Sequence, residues 1–492
     1  MSAPREIDML RMIPWPCLPN RSGRRACGVS VWCISALTLV ACGPAAHRSE
    51  QRPNLLLVVI DTLRADHLGC YGHGNDPTPN LDALASKGAR FESFRSVVPT
   101  TLASFTSILT SEYPVDHGVY RNGIPRPEGS PSLPELLSES GYTSAAFVSS
   151  FCLSSRFGLH LGFDHYDEEL PLAIGLPQNR VIRRGSETTD AALAWLRERD
   201  GEQPWFAMVH YFDPHWPYAP PPHFVSEGGV DVTGAGSFGA IVAARRRFRA
   251  TGEADAAMHR LHELYKGEIR YVDQQIGRLI DRLEDLPAMR NTYVVVTADH
   301  GESILEHADP FNHGLTVYET NIRIPLIVTG PTVPTAVVST PGATIDLAPT
   351  LLELAEVEAP DTFRGRSLLS ELSGGPAGSP RPLFAEATQP FDAEAGQIWP
   401  NRRKARSVLL DDLKLIHTPW RGDRFELYDL GDDPLEEHDL IGAGRVGEYS
   451  DFTELENALS SWSAQPPHRI GVGRSEFDVE VRKKLRSLGY VE

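Results

Sequence analysis

Two periods of apolar residues run through this chain. The run NLLLVVI (54–60) is continuous, β-rich and bounded by turn formers, which predicts a strand buried on both faces. PNLDALASKGARF has Pro at its start and Gly near its end and predicts a helix. The same alternation continues with SLPELLSESGY as helix and TSAAFVSS as strand, then SETTDAALAWLRER as helix and PWFAMVHYF as strand. Residues 256–286 place Leu261, Leu264, Ile269, Val272, Ile276, Leu279 and Leu283 at helical spacing, which predicts a long amphipathic helix. NTYVVVTA and IRIPLIVTG predict two further strands. Strands alternating with helices imply an α/β fold, a central mostly parallel sheet flanked by helices, over residues 53–372. A Gly/Pro/Ser linker, SGGPAGSPRP, follows, and the pattern then changes. KARSVLLDDLKLIHTPWRGDRFELYDL reads as two or three strands joined by turns, a small antiparallel sheet subdomain within 381–440. Residues 441–492 form a tail that ends in a helix, SEFDVEVRKKLRSLGYVE, and no internal repeat is visible.

The first 41 residues do not fit this pattern. Arg21, Arg24 and Arg25 precede the apolar run ACGVSVWCISALTLVAC, which is short for a membrane span and resembles the core of a signal peptide. It ends in LVAC, and small residues before a cysteine resemble a bacterial lipoprotein signal with Cys42 as the lipidated residue. A plain secretory signal or a short membrane anchor is the alternative. Residues 1–41 are thus expected to be a signal peptide and 42–52 a polar tether, with the protein exported and anchored in the bacterial cell envelope, facing the periplasm or exterior. Cys70 and Cys152 remain in the body of the chain, either as one disulfide or as ordinary buried thiols. The net charge of −18 over 492 residues argues against nucleic acid as a partner but leaves an anionic small substrate open, because a metal ion or a local basic pocket reverses the field.

Candidate chemistry sits at predicted strand ends, where open α/β sheets place their sites. Asp61 follows the first strand directly, and Asp299 and His300 follow YVVVTA in the segment ADHGE. An adjacent Asp–His pair before a turn-permitting Gly suits a divalent ion with mixed oxygen and nitrogen ligands. VHYFDPHWPY carries His210, Asp213 and His215, and FNHGLTVYE carries His313. The stretch VVPTTLASFTSILT puts two threonines, Thr100 and Thr101, before an apolar helical run, as an N-cap pair would.

These segments together resemble the sulfatase family of the alkaline-phosphatase superfamily. RPNLLLVVIDTLRADHLGCYG is similar to the family's first strand and metal-binding turn, and PTPNLDALASKGARF to its next helix. TSILTSEYPVDHGV, ADHGE, HGLTVYETNIRIPLIV, IDLAPTLLELA and FELYDLGDDPLEEHDL follow in family order, across about residues 53–440. The resemblance implies an alkaline-phosphatase-like sheet, a small C-terminal sheet subdomain, and one divalent metal ion (Mn, Ca or Zn) beside a nucleophile at a helix N-terminus. It implies Asp61, Asp299 and His300 as metal ligands and His215 and His313 as holders of substrate oxyanions.

The departures from the family pattern bear on the chemistry. Counted back from Thr110, Thr101 stands where the family keeps the cysteine or serine that becomes formylglycine, and Ala103, Phe105 and Ser111 replace Pro, Arg and Gly. Thr62 replaces a second metal aspartate, and AAFVSSFCLS stands where a Lys- and His-bearing segment is usual. Threonine cannot form the aldehyde hydrate, so it has no second hydroxyl to expel sulfate. A phosphothreonine, by contrast, is open to in-line displacement. The expectation is a metal-dependent hydrolase of sulfate or phosphate esters, with Thr101 favouring phosphoesters. The substrate would be an anionic ester such as a sulfated or phosphorylated glycan, lipid or small molecule. An envelope phosphoglycerol- or phosphoethanolamine-type transferase and an inactive glycan-binding member are the alternatives.

Overall fold

The strand β1 (Asn54–Ile60) lies at the middle of the fold, and all seven of its residues are buried. A strand with neighbours on both edges and helices on both faces needs the continuous apolar run found there. β1 pairs in parallel with β6 (Trp205–Tyr211) and with β7 (Thr292–Ala298). Beyond β6 lie β4 (Thr143–Phe147) and β5 (His165–Asp167), both parallel. Beyond β7, β8 (Leu326–Thr329) runs antiparallel to β7 and to β2 (Ala89–Phe91), and β9 (Ala336–Val338) pairs in parallel with β2. The order of this eight-stranded sheet is β5-β4-β6-β1-β7-β8-β2-β9. β3 (Phe94–Arg95) and β10 (Gly342–Ala343) form a separate two-stranded pair. The register opposes Ile60 to both Tyr211 and Ala298, so β1, β6 and β7 end level and their following residues leave the sheet at one edge.

This computed structural model describes residues 52–488 apart from 75–77, 171–181, 200–202, 226–233, 286–290, 308, 395–397 and 470–478. The expected signal segment 1–41, the anchor Cys42 and the tether up to residue 51 lie outside the described residues. Among the described residues no helix is long and apolar enough to cross a membrane.

The helix Ala256–Glu284 is capped by Asp255, whose side chain accepts from Met258 N, and buries all seven apolar positions read from its spacing. Gly277 lets it approach the helix Pro79–Lys87, since a Cβ there would stand 2.2 Å from Asn80 Oδ1. Cys70 and Cys152 are not joined in a disulfide, and burial, with Asp82 beside it, pushes the Cys70 thiol up to about 12.

The second sheet is antiparallel: β11 (Leu383–Glu386), β12 (Arg406–Leu410), β13 (Leu413–Thr418) and β14 (Arg424–Asp429). β11 begins straight after the Pro-rich linker and is too short to show a period. The helix Phe452–Ala464 covers this sheet and stacks Trp462 on Phe384 at 5.0 Å.

Charge also ties the second sheet to the first unit. Lys414 of β13 is fully buried, with Nζ 2.8 Å from Glu319 Oε1 and 2.8 Å from Glu436 Oε1. Arg95 reaches Glu319 as well, at 2.8 Å. Burial alone would raise the Glu319 carboxyl, but Arg95 and Lys414 hold it below the usual range, whereas burial pushes Glu436 up. Lys414→Met would leave two carboxylates buried around one guanidinium. It is expected to cost about 3–5 kcal/mol, read as a lower urea midpoint. Stability within about 1 kcal/mol of the wild type would contradict the network's role.

Candidate active site

The level ends of β1 and β7 bring Asp61, Asp299 and His300 together. One ligand-type atom from each lies within 4.8 Å of the others, and all three residues are fully buried. Thr62, directly after Asp61, is held at φ 55°, a strained value for a β-branched residue. Two contacts keep it there: its N–H donates to Asp299 Oδ1 at 3.2 Å, and its carbonyl accepts from the Tyr265 hydroxyl at 2.8 Å. Asp299 Oδ1 also accepts from His300 N at 2.8 Å, which leaves Oδ2 turned to the centre. His300 Nδ1 donates to Gly301 O at 2.9 Å, so its Nε2 presents a lone pair. Burial pulls the His300 imidazole down to about 4 and keeps it neutral.

The helix Thr101–Thr110 delivers its first residue to the same place. Thr101 is fully buried, and its Oγ1 lies 3.4 Å from His300 Nε2. The helix is fastened to the end of β7 by Ser104, whose hydroxyl donates to Asp299 O at 2.7 Å. Thr100 holds the N-cap position by backbone, but its side chain makes no cap. Its hydroxyl shares a 2.5 Å hydrogen bond with Thr388 instead. The capping acceptor is Asn122, whose Oδ1 takes Leu102 N at 2.8 Å. Asn122 Nδ2 is then a buried donor without a partner among the described residues, beside the positive end of the helix. Nothing in the sequence around Asn122 marked it.

This donor set fits a divalent cation. Asp61 Oδ1 and Oδ2, Asp299 Oδ2 and Thr62 Oγ1 are buried without a hydrogen-bond partner among the described residues. Burial, then Asp299 and Glu302, push the Asp61 carboxyl well above the usual range, with the Thr101 hydroxyl pulling the other way. Burial also raises Asp299, and it raises Glu302 well above its ordinary value. Three crowded acids, two of them with bare oxygens, cost stability until a cation neutralises them. Asp61, Asp299 and His300 are the residues that would hold it.

Three histidines surround the centre. His313 lies beside His300 with ring centroids 4.5 Å apart, and His215 lies beside His313 at 5.0 Å. Glu302 orients His313 by taking its Nδ1 at 3.3 Å, and His215 Nδ1 donates to Trp216 O. His210 touches the site: its Nε2 is 3.4 Å from Asp61 Oδ2. Ser149 N donates to His210 Nδ1, and burial lowers its imidazole to about 3. Phe105, at the position where the family resemblance expects Arg, packs edge-on against His210 at 5.1 Å. Asp213 is elsewhere. It accepts from Gly185 N and pairs with Arg184 at 3.1 Å, so His210, Asp213 and His215 do not converge on a second ion.

The sulfatase family model matches residues 53–357, and a model of the C-terminal part of N-sulphoglucosamine sulphohydrolase matches residues 311–464. The N-acetylgalactosamine-6-sulfatase of Canis lupus familiaris is 30% identical over 388 residues, covering 71% of this chain and 71% of the relative. Among solved structures, a complex with the substrate D-glucosamine-2-N,6-O-disulfate aligns with a TM-score of 0.67 at 22% identity, covering 85% of this chain and 100% of that one. The phosphonate monoester hydrolase of Agrobacterium radiobacter aligns with a TM-score of 0.64 at 22% identity, covering 84% and 96%. At such identities the structural likeness speaks for the fold alone.

Proposed function

This chain belongs to the sulfatase family, and within it we propose a metal-dependent phosphoester hydrolase whose nucleophile is Thr101. The observation that carries the reading is the placement of Thr101 Oγ1 at a helix N-terminus, 3.4 Å from His300 Nε2 in the Asp61, Asp299, His300 cluster. A divalent ion (Mn, Ca or Zn), when bound there, supplies positive charge that favours the deprotonated hydroxyl and the substrate oxyanion.

The chain's own residues supply the rest. Thr101 Oγ1 gives its proton to an imidazole Nε2 and forms the bond to phosphorus as the bond to the ester oxygen breaks; the departing oxygen takes that proton, leaving a phosphothreonine and an alcohol. Water then displaces the threonine oxygen and releases phosphate. Asn122 Nδ2 and the open end of the Thr101 helix stabilise the developing charge on the non-bridging oxygens. His215 and His313 supply that imidazole Nε2 on the other side of the substrate, since Trp216 O and Glu302 take their Nδ1 protons and leave Nε2 as the atom that accepts and returns a proton. His210 lies against Asp61, with Nε2 3.4 Å from Oδ2. The single threonine hydroxyl makes the same cycle slow for sulfate, because a sulfothreonine lacks a second hydroxyl to drive release. One solved structure of this fold is a complex with a sugar disulfate and another is a phosphonate monoester hydrolase, which supports testing both sulfur and phosphorus esters.

The test is a panel of aryl sulfate, phosphate monoester, phosphate diester and phosphonate ester with the full chain, in the presence of Mn, Ca or Zn and with chelator. Phosphoester turnover above sulfate turnover supports the reading, and the reverse order removes it. Asn122→Ala is expected to lower kcat by about 10²-fold with a smaller change in KM, the mark of a donor used in the transition state. An unchanged kcat would take Asn122 out of the mechanism.

Envelope anchoring through Cys42 belongs to the same proposal, since Leu39, Val40 and Ala41 precede it at the end of an apolar run. Cys42→Ser is expected to release the protein from the membrane fraction. Membrane association that survives this change would remove the lipid anchor.

A further inference from the structure

The second sheet carries a polar row on the face turned to the helix Phe452–Ala464. Register sets Arg406 of β12 opposite His417 of β13, and His417 opposite Phe425 of β14. Side chains alternate along a strand, and Ile416, next to His417, packs on the other face with Val317, Tyr318 and Ile322. The row therefore looks away from the segment that follows His313. Between it and the helix lies a hollow of about 550 Å³, whose polar lining includes Arg402, Arg406, His417, Asp423, Ser460 and Ser463. No residue of the Thr101, Asp61, Asp299 and His300 centre lines it.

The hollow holds positive charge that the fold leaves without a bonded carboxylate. Arg406 is 4% exposed, and among the described residues its guanidinium makes one hydrogen bond, from Nη2 to Asn401 O at 2.9 Å. Glu386 stands opposite Arg406 in β11, but its Oε2 is taken by Trp399 Nε1 at 2.9 Å. Burial pulls the Arg406 guanidinium down to about 10; Glu386 opposes that and Arg402 adds to it. Arg402 is half-buried and has no hydrogen bond or ion pair among the described residues. Ser463 Oγ is buried and has no partner among them either. His417 lies flat on Phe425, with centroids 4.1 Å apart, which fixes its ring beside Arg406. The acids of the lining, Asp423 and Glu456, are both exposed, and Asp423 comes only to 3.6 Å from His417 Nε2. A buried guanidinium without a bonded carboxylate is costly. Two guanidiniums and an imidazole around one hollow suit the oxygens of a tetrahedral anion.

We propose that this hollow is a second anion site, apart from the reacting centre, which takes a phosphate or sulfate group on Arg402, Arg406 and His417, with Ser463 Oγ as a further donor. The site stands whether or not Thr101 is the nucleophile, and its cations need no metal ion to hold the anion. The volume leaves room for a small organic body on that group.

Calorimetric titration of the full-length protein with chelator present tests it, using inorganic phosphate, inorganic sulfate and glycerol 3-phosphate. At least one of these is expected to bind with one equivalent per chain. Arg402→Ala and Arg406→Met are each expected to weaken that binding at least about 5-fold. Asp423→Asn is expected to tighten it about 2- to 5-fold, because it removes the carboxylate that competes for His417. Asp423 is exposed, so this variant keeps the fold whatever becomes of Arg406→Met. Asn122→Ala, in the reacting centre, is expected to leave the binding unchanged. The arm that binds tightest identifies the ligand as a free oxyanion or one carried on an organic body. No binding by any of the three overturns the site. Binding that is lost with Asn122→Ala, or that is indifferent to Arg402→Ala and Asp423→Asn, overturns it as well.

Discussion

Thr101→Ala is expected to lower kcat on a phosphoester by at least about 10³-fold, with a much smaller change in the binding of the intact ester. Its hydroxyl lies at the start of the helix Thr101–Thr110, 3.4 Å from His300 Nε2, and is fully buried there. Removing it takes away bond formation while leaving the carboxylates, the imidazoles and the Asn122 donor in place. The helix does not depend on it, because Leu102 N is capped by Asn122 and Ser104 anchors the helix to Asp299 O. The variant should therefore melt close to the wild type. Thr101→Ser keeps an oxygen at the same atom position and is expected to retain measurable turnover. Full activity of Thr101→Ala would assign the nucleophile to another group.

Asp299→Asn is expected to abolish turnover and the stabilisation by metal, and at the same time to make the metal-free protein more stable than the metal-free wild type. The second effect follows from the crowding of Asp61, Asp299 and Glu302, whose carboxyls are all pushed above their ordinary range. Removing one charge from that group is worth about 1–2 kcal/mol in the absence of a cation. The wild type gains more when the ion binds, about 2.7 kcal/mol at a concentration one hundred times its Kd. The sign of the pH dependence is set by the same groups. Folded, these acids hold protons that the unfolded chain has already released, so their contribution to stability falls as pH rises from the ordinary carboxylate range through their raised values. Melting with chelator should show this fall, and melting with manganese should flatten it. Equal metal-induced shifts in the wild type and in Asp299→Asn would place the ion elsewhere.

Much of this arrangement was legible in the sequence because it depends on local rules. β1, β6 and β7 are long apolar runs, and Asp61, Asp299 and His300 follow two of them directly. Thr101 is singled out by the family resemblance, counted back from Thr110, and the helix begins at that residue. What was not legible depends on where the chain goes next. His210 sits in a strand buried on both faces, where alternation cannot tell which side chains point at the site, and its contact with Asp61 comes from register. Asn122 lies in a loop whose path back to the Thr101 helix has no sequence period. Asp213 is close in sequence to His210 and His215, but the turn after β6 sends it to Arg184 and Gly185. Glu302 read as one more loop acid until its contact with His313 gave it an orienting place. The helix Phe238–Thr251 buries only Ile241 and Ala244, too few apolar positions to set an amphipathic period.

The central claim is that Thr101 forms a covalent bond to the anion of the substrate. Peptide mass spectrometry of the full-length protein, acid-quenched during turnover of an aryl phosphoester with manganese, tests this most directly. The account predicts one phosphoryl group on the peptide that contains Thr101, absent in Thr101→Ala. Turnover with the phosphoryl group on a different residue, or with no adduct and undiminished by Thr101→Ala, would contradict it.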